Sequence, residues 1–529
     1  MVVLRTPTRA RLLGYEDKKA VLTQALTYTD KRVEFELKKT SDSIRRWEGR
    51  SGTAIKASLG ETLFEERLAE MKARRDALKA QRKKCLLFED EEGLWTYSGL
   101  AHKIAKEGND QVSVEYALPE PEPLPWANHP EHSDRPYQTE AHDLMLDAVV
   151  FGPCGVELAT GAGKGRVILN LVKSLGLGAV VMAPSTSIAG QLYGDLVHAF
   201  GKRYVGLFGN GKKQFDKLIV VGIDDSLTRV KEGSEEWECL SSKKVFIADE
   251  SHLCPADTLA KVCFGLMADA PYRFFFSATQ LRQDGLDVVL DGIVGRIVMR
   301  KTVRELVDEG YLAKPTFKMV KIGTNSNYKS SDPNTMTRKH LYYNPQVYRT
   351  AADLANKFVS VMQRPVVILV EELEQYAALK THFKHASKFA HGPLNKDNKQ
   401  LVPEECWKDD PADLVAAFNE GKFPILVGTS CISTGTDIKV AEAAIYLQGG
   451  KSEIKVRQGV GRETRGGVKG HVFNPWTGKQ KLNCVHVDFD VVDMFGDEGF
   501  APHRHALERA KLYEEIYGPV QYLDMREKD

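Results

Sequence analysis

Between Gly155 and Val172 a short apolar run, Gly155-Val-Glu-Leu-Ala159, passes straight into a glycine-rich turn and then into a helical pattern, Arg166-Val-Ile-Leu-Asn-Leu-Val172. A strand that turns over glycines into a helix confines the chain to folds in which strand ends and helix starts share one sheet edge. The turn, Ala159-Thr160-Gly161-Ala162-Gly163-Lys164-Gly165, would cluster backbone N–H groups at a positive helix N-terminus, a setting suited to phosphate. Lys164 would then reach the β- and γ-phosphates of a nucleotide. The next residue in such loops is usually Ser or Thr, whose hydroxyl ligates Mg²⁺. Here it is Gly165, which has no hydroxyl. Taken alone, a glycine turn would also serve as a plain connection.

The rest of the chain narrows the choice. Its 529 residues exceed what one core holds and suggest about three or four domains. From about 130 to 315, strand candidates Gly155–Ala159, Ala179–Ala183, Leu218–Ile223, Val245–Ala248 and Arg273–Phe276 alternate with amphipathic helices. A second series has strands at Val366–Val370, Ile425–Gly428, Ala443–Leu447 and Asn483–Asp488. Such alternation predicts parallel sheets covered on both faces. The expected division is an N-terminal accessory α+β domain over 1–115, a proline-rich extended linker over 116–130, α/β domains over 131–315 and 316–490, and a helical tail over 491–529.

Net charge is +1, so any nucleic-acid surface must be local. Lys31 to Lys84 carries sixteen Lys/Arg against nine Asp/Glu. Within it, Thr62 to Lys84 predicts a helix with Phe64, Leu68, Met71 and Leu78 near one face, and with Glu70 and Arg74 spaced for an ion pair. That stretch reads as a solvated helical face, as a DNA surface or as a docking site for a second protein. Eight cysteines without a Cys-x-x-Cys pair argue against zinc or a disulfide framework and for a reducing compartment. With no signal-peptide pattern and no apolar run of bilayer length, the expected location is the cytoplasm of a prokaryotic or phage-infected cell.

Lys244-Val-Phe-Ile-Ala-Asp249-Glu250-Ser-His252 puts adjacent carboxylates after an apolar strand, at the edge where ligands gather in open α/β sheets. Asp249 there would hold Mg²⁺, and Glu250 would polarise a water for attack on a γ-phosphate. With these residues in view, the chain resembles superfamily 2 helicases of the Asp-Glu-x-His type from about 130 to 490. Arg135-Pro-Tyr-Gln138 is similar to that family's adenine-reading segment. Ser277-Ala-Thr279 resembles its coupling motif, together with His252. Gly428-Thr429-Ser-Cys-Ile-Ser-Thr-Gly435-Thr-Asp437 resembles the fifth motif, and Gln458-Gly-Val-Gly-Arg462-Glu-Thr-Arg465 the sixth.

The resemblance implies two tandem RecA-like parallel-sheet domains with ATP and Mg²⁺ used at the cleft between them. It implies a site built from Arg135, Gln138, Thr160, Gly161, Ala162, Gly163, Lys164, Gly165, Asp249, Glu250, Gly435, Asp437, Gln458, Arg462 and Arg465. Both arginines are expected on one face of a helix, where guanidinium forks suit phosphate; the alternative is an exposed basic helix. Ser185 and Thr186, after the strand ending at Ala183, and Thr429 would contact the DNA backbone, although such residues also serve as helix caps. Gln458, where RNA-acting relatives usually have His, favours DNA. Gly449-Gly-Lys-Ser-Glu-Ile454 and the tail with His503, His505, Arg509 and Tyr513 look most like phage recombination and branch-migration helicases. Two other readings stay open: a motor subunit of a restriction or defence complex, and a nucleotide-gated DNA-binding protein in which Gly165 has slowed turnover.

Overall fold

Uninterrupted runs of Val, Ile, Ala and Phe make strands that are buried on both faces. Ala179–Ala183, Ile219–Ile223 and Val245–Ala248 are buried at every residue, as strands at the centre of a helix-covered parallel sheet must be. The computed structural model describes residues 1–129, 133–279, 286–324, 328–433, 437–493 and 500–526, the side chains at 50–52 and 433 excepted. Two compact units result, Met1–Glu157 with Gly165–Met299, and Leu158–Lys164 with Arg300–Asp529.

The first α/β sheet has eight strands in the order Lys212–Lys213, Val205–Gly209, Ile219–Ile223, Ala179–Ala183, Val245–Ala248, Tyr272–Ser277, Cys154–Leu158 and Arg296–Lys301. From Val205–Gly209 to Cys154–Leu158 every neighbour is parallel, so their C-terminal ends meet on one edge. The second sheet has seven strands, all pairs parallel, ordered Ser387–Ala390, Ile425–Gly428, Val366–Val370, Ala443–Leu447, Asn483–Val492, Lys314–Gly323 and Val520–Asp524. The protein is α/β, with two RecA-like parallel sheets preceded by an α+β segment.

In that N-terminal segment, five strands pair in the order Phe88–Asp90, Gly93–Tyr97, Arg9–Leu12, Val2–Thr6 and Val112–Val114. A two-stranded ribbon, Thr27–Thr29 with Lys83–Cys85, carries an arm of three helices, Lys31–Glu48, Arg50–Leu59 and Glu61–Gln81. Asp30 caps the first helix, accepting from the amides of Arg32 and Val33. Phe64 is buried and stacks on Trp47 at 5.0 Å between centroids, so the predicted apolar face faces the neighbouring helix. The ion pair differs from expectation: Arg74 reaches Glu36 on that neighbour, at 3.1 Å. Inter-helix packing brings an acid closer than the i,i+4 spacing does.

This N-terminal sheet docks within its unit. Tyr97 stacks on Phe264 at 4.0 Å, and a Cβ at Gly99 would lie 2.3 Å from the Asp291 carbonyl oxygen. The proline-rich stretch after it is extended, as its prolines require, but it is no loose tether. Glu122 and Leu124 donate backbone N–H groups to Leu175 and Lys173, and Ala127 to Ala199. Trp126 stacks on Phe200. The C-terminal tail likewise holds more than a helix. After Ala501–Tyr517 the strand Val520–Asp524 pairs with Lys314–Gly323 and completes the second sheet.

Candidate nucleotide site

The turn leaves the strand Cys154–Leu158 and enters the helix Lys164–Leu175. Gly161 and Gly163 take φ of +87° and +79°, a region that side chains resist, so both positions need glycine. Ala162 is buried between them, while Thr160 and Lys164 are half-buried. Positive-φ glycines followed by a helix start fit a polyphosphate. Gly165 is different. No strained φ applies there, and an added Cβ would meet only a Leu192 methyl at 3.8 Å.

On the same edge, Asp249 and Glu250 follow the strand Val245–Ala248. The Asp249 amide donates to the Met182 carbonyl, extending the strand pairing by one residue. Asp249 Oδ1 accepts from the Glu250 amide at 2.9 Å. Glu250 then adopts φ +50°, ψ +47°, a left-handed conformation costing about 1–2 kcal/mol for a residue with a Cβ. Strain of this kind persists where neighbours over-determine it. The neighbours are buried: His252 Nδ1 lies 3.4 Å from Glu250 Oε2 and 3.0 Å from Ser277 Oγ. Ser277 Oγ donates to the Thr279 carbonyl at 2.6 Å and accepts from the Thr279 amide. With its proton committed to Thr279, the Ser277 hydroxyl is an acceptor toward His252. Hydrogen bonds therefore connect His252 to the end of the adjacent strand Tyr272–Ser277, and Glu250 Oε2 lies at ion-pair distance from the same ring nitrogen. Among the described residues no group of three or more His, Cys, Asp or Glu side chains is arranged to hold a metal ion. A Mg²⁺ would rest on Asp249 and on phosphate oxygens.

Upstream, Arg135 precedes the helix Pro136–Val149. The Gln138 side-chain oxygen accepts from the Arg135 amide at 3.0 Å, and Arg135 Nη1 donates to the Tyr137 hydroxyl. Gln138 is thus a helix-capping residue as well as a candidate base reader.

In the second unit the helix carrying Gln458 spans Glu453–Val460 and stops there. Arg462 and Arg465 therefore do not share a helix face, contrary to expectation. Gly459 and Gly461 weaken the helix, and the segment beyond is claimed by strand-like pairing. The Ala313 amide donates to the Thr464 carbonyl, and Arg465 bridges with Leu312. Arg462 is buried, and Arg465 forms an ion pair with Asp437. Gly435 lies outside the described residues. Sequence reasoning missed Glu463 between the arginines, which is fully buried and bonded to His486 at 2.8 Å. It also missed Lys481, whose ammonium donates to the Lys439 carbonyl and is pushed down to about 8 by burial. A buried acid and lysine inside polar sequence give no periodic signal.

Of the proposed backbone-contact residues, Ser185 is the N-cap of the helix Thr186–Phe200, accepting from the Ile188 amide. Thr186 is exposed on its first turn. Thr429 is buried, with its hydroxyl toward Cys431.

Residues 131–282 match the family described as Type III restriction enzyme, res subunit. The chain is 23% identical over 338 residues to the DNA 3'-5' translocase XPB2 of Sulfurisphaera tokodaii, covering 59% of this chain and 74% of that protein. Among solved structures, the ATP-dependent Type ISP restriction-modification enzyme LlaBIII bound to DNA aligns with TM-score 0.51 at 11% identity, over 80% of this chain and 34% of that one. T4 UvsW aligns over 99% of both chains at 14% identity and TM-score 0.40. No helix among the described residues is long and apolar enough to cross a membrane.

Proposed function

We propose that this superfamily 2 helicase-type chain couples ATP hydrolysis to movement on DNA, acting on forked or recombination intermediates by unwinding or branch migration. The observation that carries this reading is the contact series Glu250–His252–Ser277–Thr279, which connects the carboxylate at the end of the strand Val245–Ala248 to the end of the neighbouring strand. A change at the nucleotide would thereby reach residues outside the nucleotide site. In this reading Lys164 and the loop amides hold the phosphates, Asp249 holds the metal, and Glu250 orients water and takes its proton. Arg462 and Arg465 stabilise charge on the transferred phosphoryl group. Bound Mg²⁺ supplies charge neutralisation on the phosphate oxygens. The relative named as a DNA translocase supports DNA as the track. ATPase rate measured with and without DNA tests the reading: stimulation supports a motor, and a rate indifferent to DNA points to the nucleotide-gated binder.

A second reading is favoured by the restriction-subunit match over 131–282. As the motor of a restriction complex, the chain would translocate without separating strands.

Gly165→Thr should raise the ATPase rate or lower the Mg²⁺ concentration needed for half-maximal activity. The Cβ has room there, and the hydroxyl restores a ligand such loops usually carry. A Mg²⁺ titration of the two proteins checks it. An unchanged curve means that other groups hold the ion entirely.

We also propose that the helical arm contributes to DNA binding. Lys38, Lys39 and Arg67 are exposed on it. The ribbon at its base brings the ends together, the Asp30 amide donating to the Arg82 carbonyl at 3.0 Å. Replacing 31–81 by an Asn-Gly turn would therefore spare the docked N-terminal sheet. Affinity for forked DNA should fall and its salt dependence flatten, while ATP binding stays. Titration at two salt concentrations decides it, and unchanged affinity and slope would leave the arm to a protein partner.

A further inference from the structure

We propose that the helix Ala501–Tyr517 is a positioning element for hydrolysis, holding Arg462 and Arg465 through the buried chain Arg509–Asp488–Tyr513–His486–Glu463. The proposal rests on the reading that these arginines act on ATP. Arg509 and Tyr513, four residues apart, share one face of that helix. Arg509 grips Asp488 with two bonds, Nε to Oδ2 at 2.7 Å and Nη2 to Oδ1 at 2.9 Å. Its remaining nitrogen donates to the Gly450 carbonyl at 2.6 Å, in the loop ahead of the helix that bears Gln458.

The Tyr513 hydroxyl donates to Asp488 Oδ2 at 2.8 Å and lies 3.1 Å from His486 Nε2. The opposite ring nitrogen of His486 meets Glu463 Oε1 at 2.8 Å. Every member is buried, with no more than 4% exposed among Arg462, Glu463, His486, Asp488, Arg509 and Tyr513. Glu463 is anchored from one side by this chain, and the adjoining Thr464 and Arg465 are pinned from the other by Ala313 and Leu312. The backbone that presents both arginines is thus fixed on two sides. One of the two fixtures leads to a helix some forty residues further along the chain. Oriented hydrogen bonds of this kind set a residue's position more than its affinity for a ligand.

The test uses the full chain. Tyr513→Phe keeps the ring that stacks on Phe317 at 4.9 Å and removes only the hydroxyl. We expect kcat for ATP to fall about tenfold or more with KM within about twofold, because a displaced arginine loses contacts made in the transition state. Glu463→Leu should behave likewise, and Glu463→Gln, which keeps an acceptor for His486, should recover most of kcat. Rates are taken per folded molecule, from melting curves of each variant. A parental kcat in Tyr513→Phe, with only a lowered melting temperature, overturns the proposal by showing a structural role. Arg462→Ala, run in parallel, should lose at least about 100-fold. If Arg462→Ala hydrolyses ATP at the parental rate, the reading of the arginines has failed and the proposal falls with it. If Arg462→Ala is inactive while Tyr513→Phe and Glu463→Leu are parental, only the positioning proposal fails.

Discussion

Glu250→Gln should lower kcat for ATP hydrolysis by about 100-fold or more, while nucleotide binding stays near parental. A glutamine keeps the size of the side chain and can still accept a hydrogen bond, but it cannot take a proton from water. The backbone supports the assignment. Left-handed φ at a glutamate is an expense the fold would shed if any residue served, and here the buried His252 ring lies 3.4 Å from the carboxylate. Steady-state rates with saturating DNA, alongside nucleotide titration by fluorescence, check the split. A Glu250→Gln protein that hydrolyses at the parental rate would move the water-activating group elsewhere. One that no longer binds nucleotide would mean Glu250 supports the loop rather than the chemistry.

The second large effect is on stability. Asp488→Ala should destabilise the second unit by about 3–5 kcal/mol, because it leaves the Arg509 guanidinium charged and buried without its partner. Asp488 is the only carboxylate that hydrogen-bonds Arg509 among the described residues, and both side chains are 1% exposed. Burial opposes the Arg509 charge and the facing carboxylate outweighs it, so the net shift is upward. Removing the carboxylate leaves burial unopposed. Replacing both partners, Asp488→Ala with Arg509→Met, should recover part of the loss, since no stranded charge remains. Tyr513→Phe, by comparison, should cost about 1 kcal/mol. Denaturant unfolding of the four proteins measures all of this. A single Asp488→Ala variant as stable as the parent would show that the pair contributes little to the core.

The sequence made the central strands legible and hid the edges, for one physical reason. Val245–Ala248, Val366–Val370, Ile425–Gly428 and Ala443–Leu447 are buried on both faces, so they appear as unbroken apolar runs and their bounds match the sequence reading. Arg296–Lys301 and Val520–Asp524 lie at sheet edges, and Lys314–Gly323 lies beside one. One side of each is wet or lightly covered and their residues alternate or carry charge, so no unbroken apolar run marks them. Val205–Gly209 was obscured by its own glycines, at 206 and 209. At the candidate site, local patterns mark the loop and the Asp-Glu strand end as lying on one sheet edge, while Ser277 is marked only by its resemblance to the family's coupling motif. The helix over Arg462 and Arg465 was over-extended because spacing alone cannot see Leu312 and Ala313 competing for that backbone. Nor could it see Glu463 meeting His486, since that contact joins a turn to a strand twenty-three residues further on.

Strand displacement is the most direct test of the central claim. The full chain is given ATP and either a forked duplex or a four-way junction, with the Glu250→Gln protein as control. The account predicts that strands separate or junctions resolve only with ATP, that they do so faster with the parent than with Glu250→Gln, and that ATP turnover rises with the same substrates. If DNA-stimulated ATP hydrolysis proceeds while neither substrate is ever opened or remodelled, the claim of unwinding or branch migration is contradicted and the restriction-type motor takes its place.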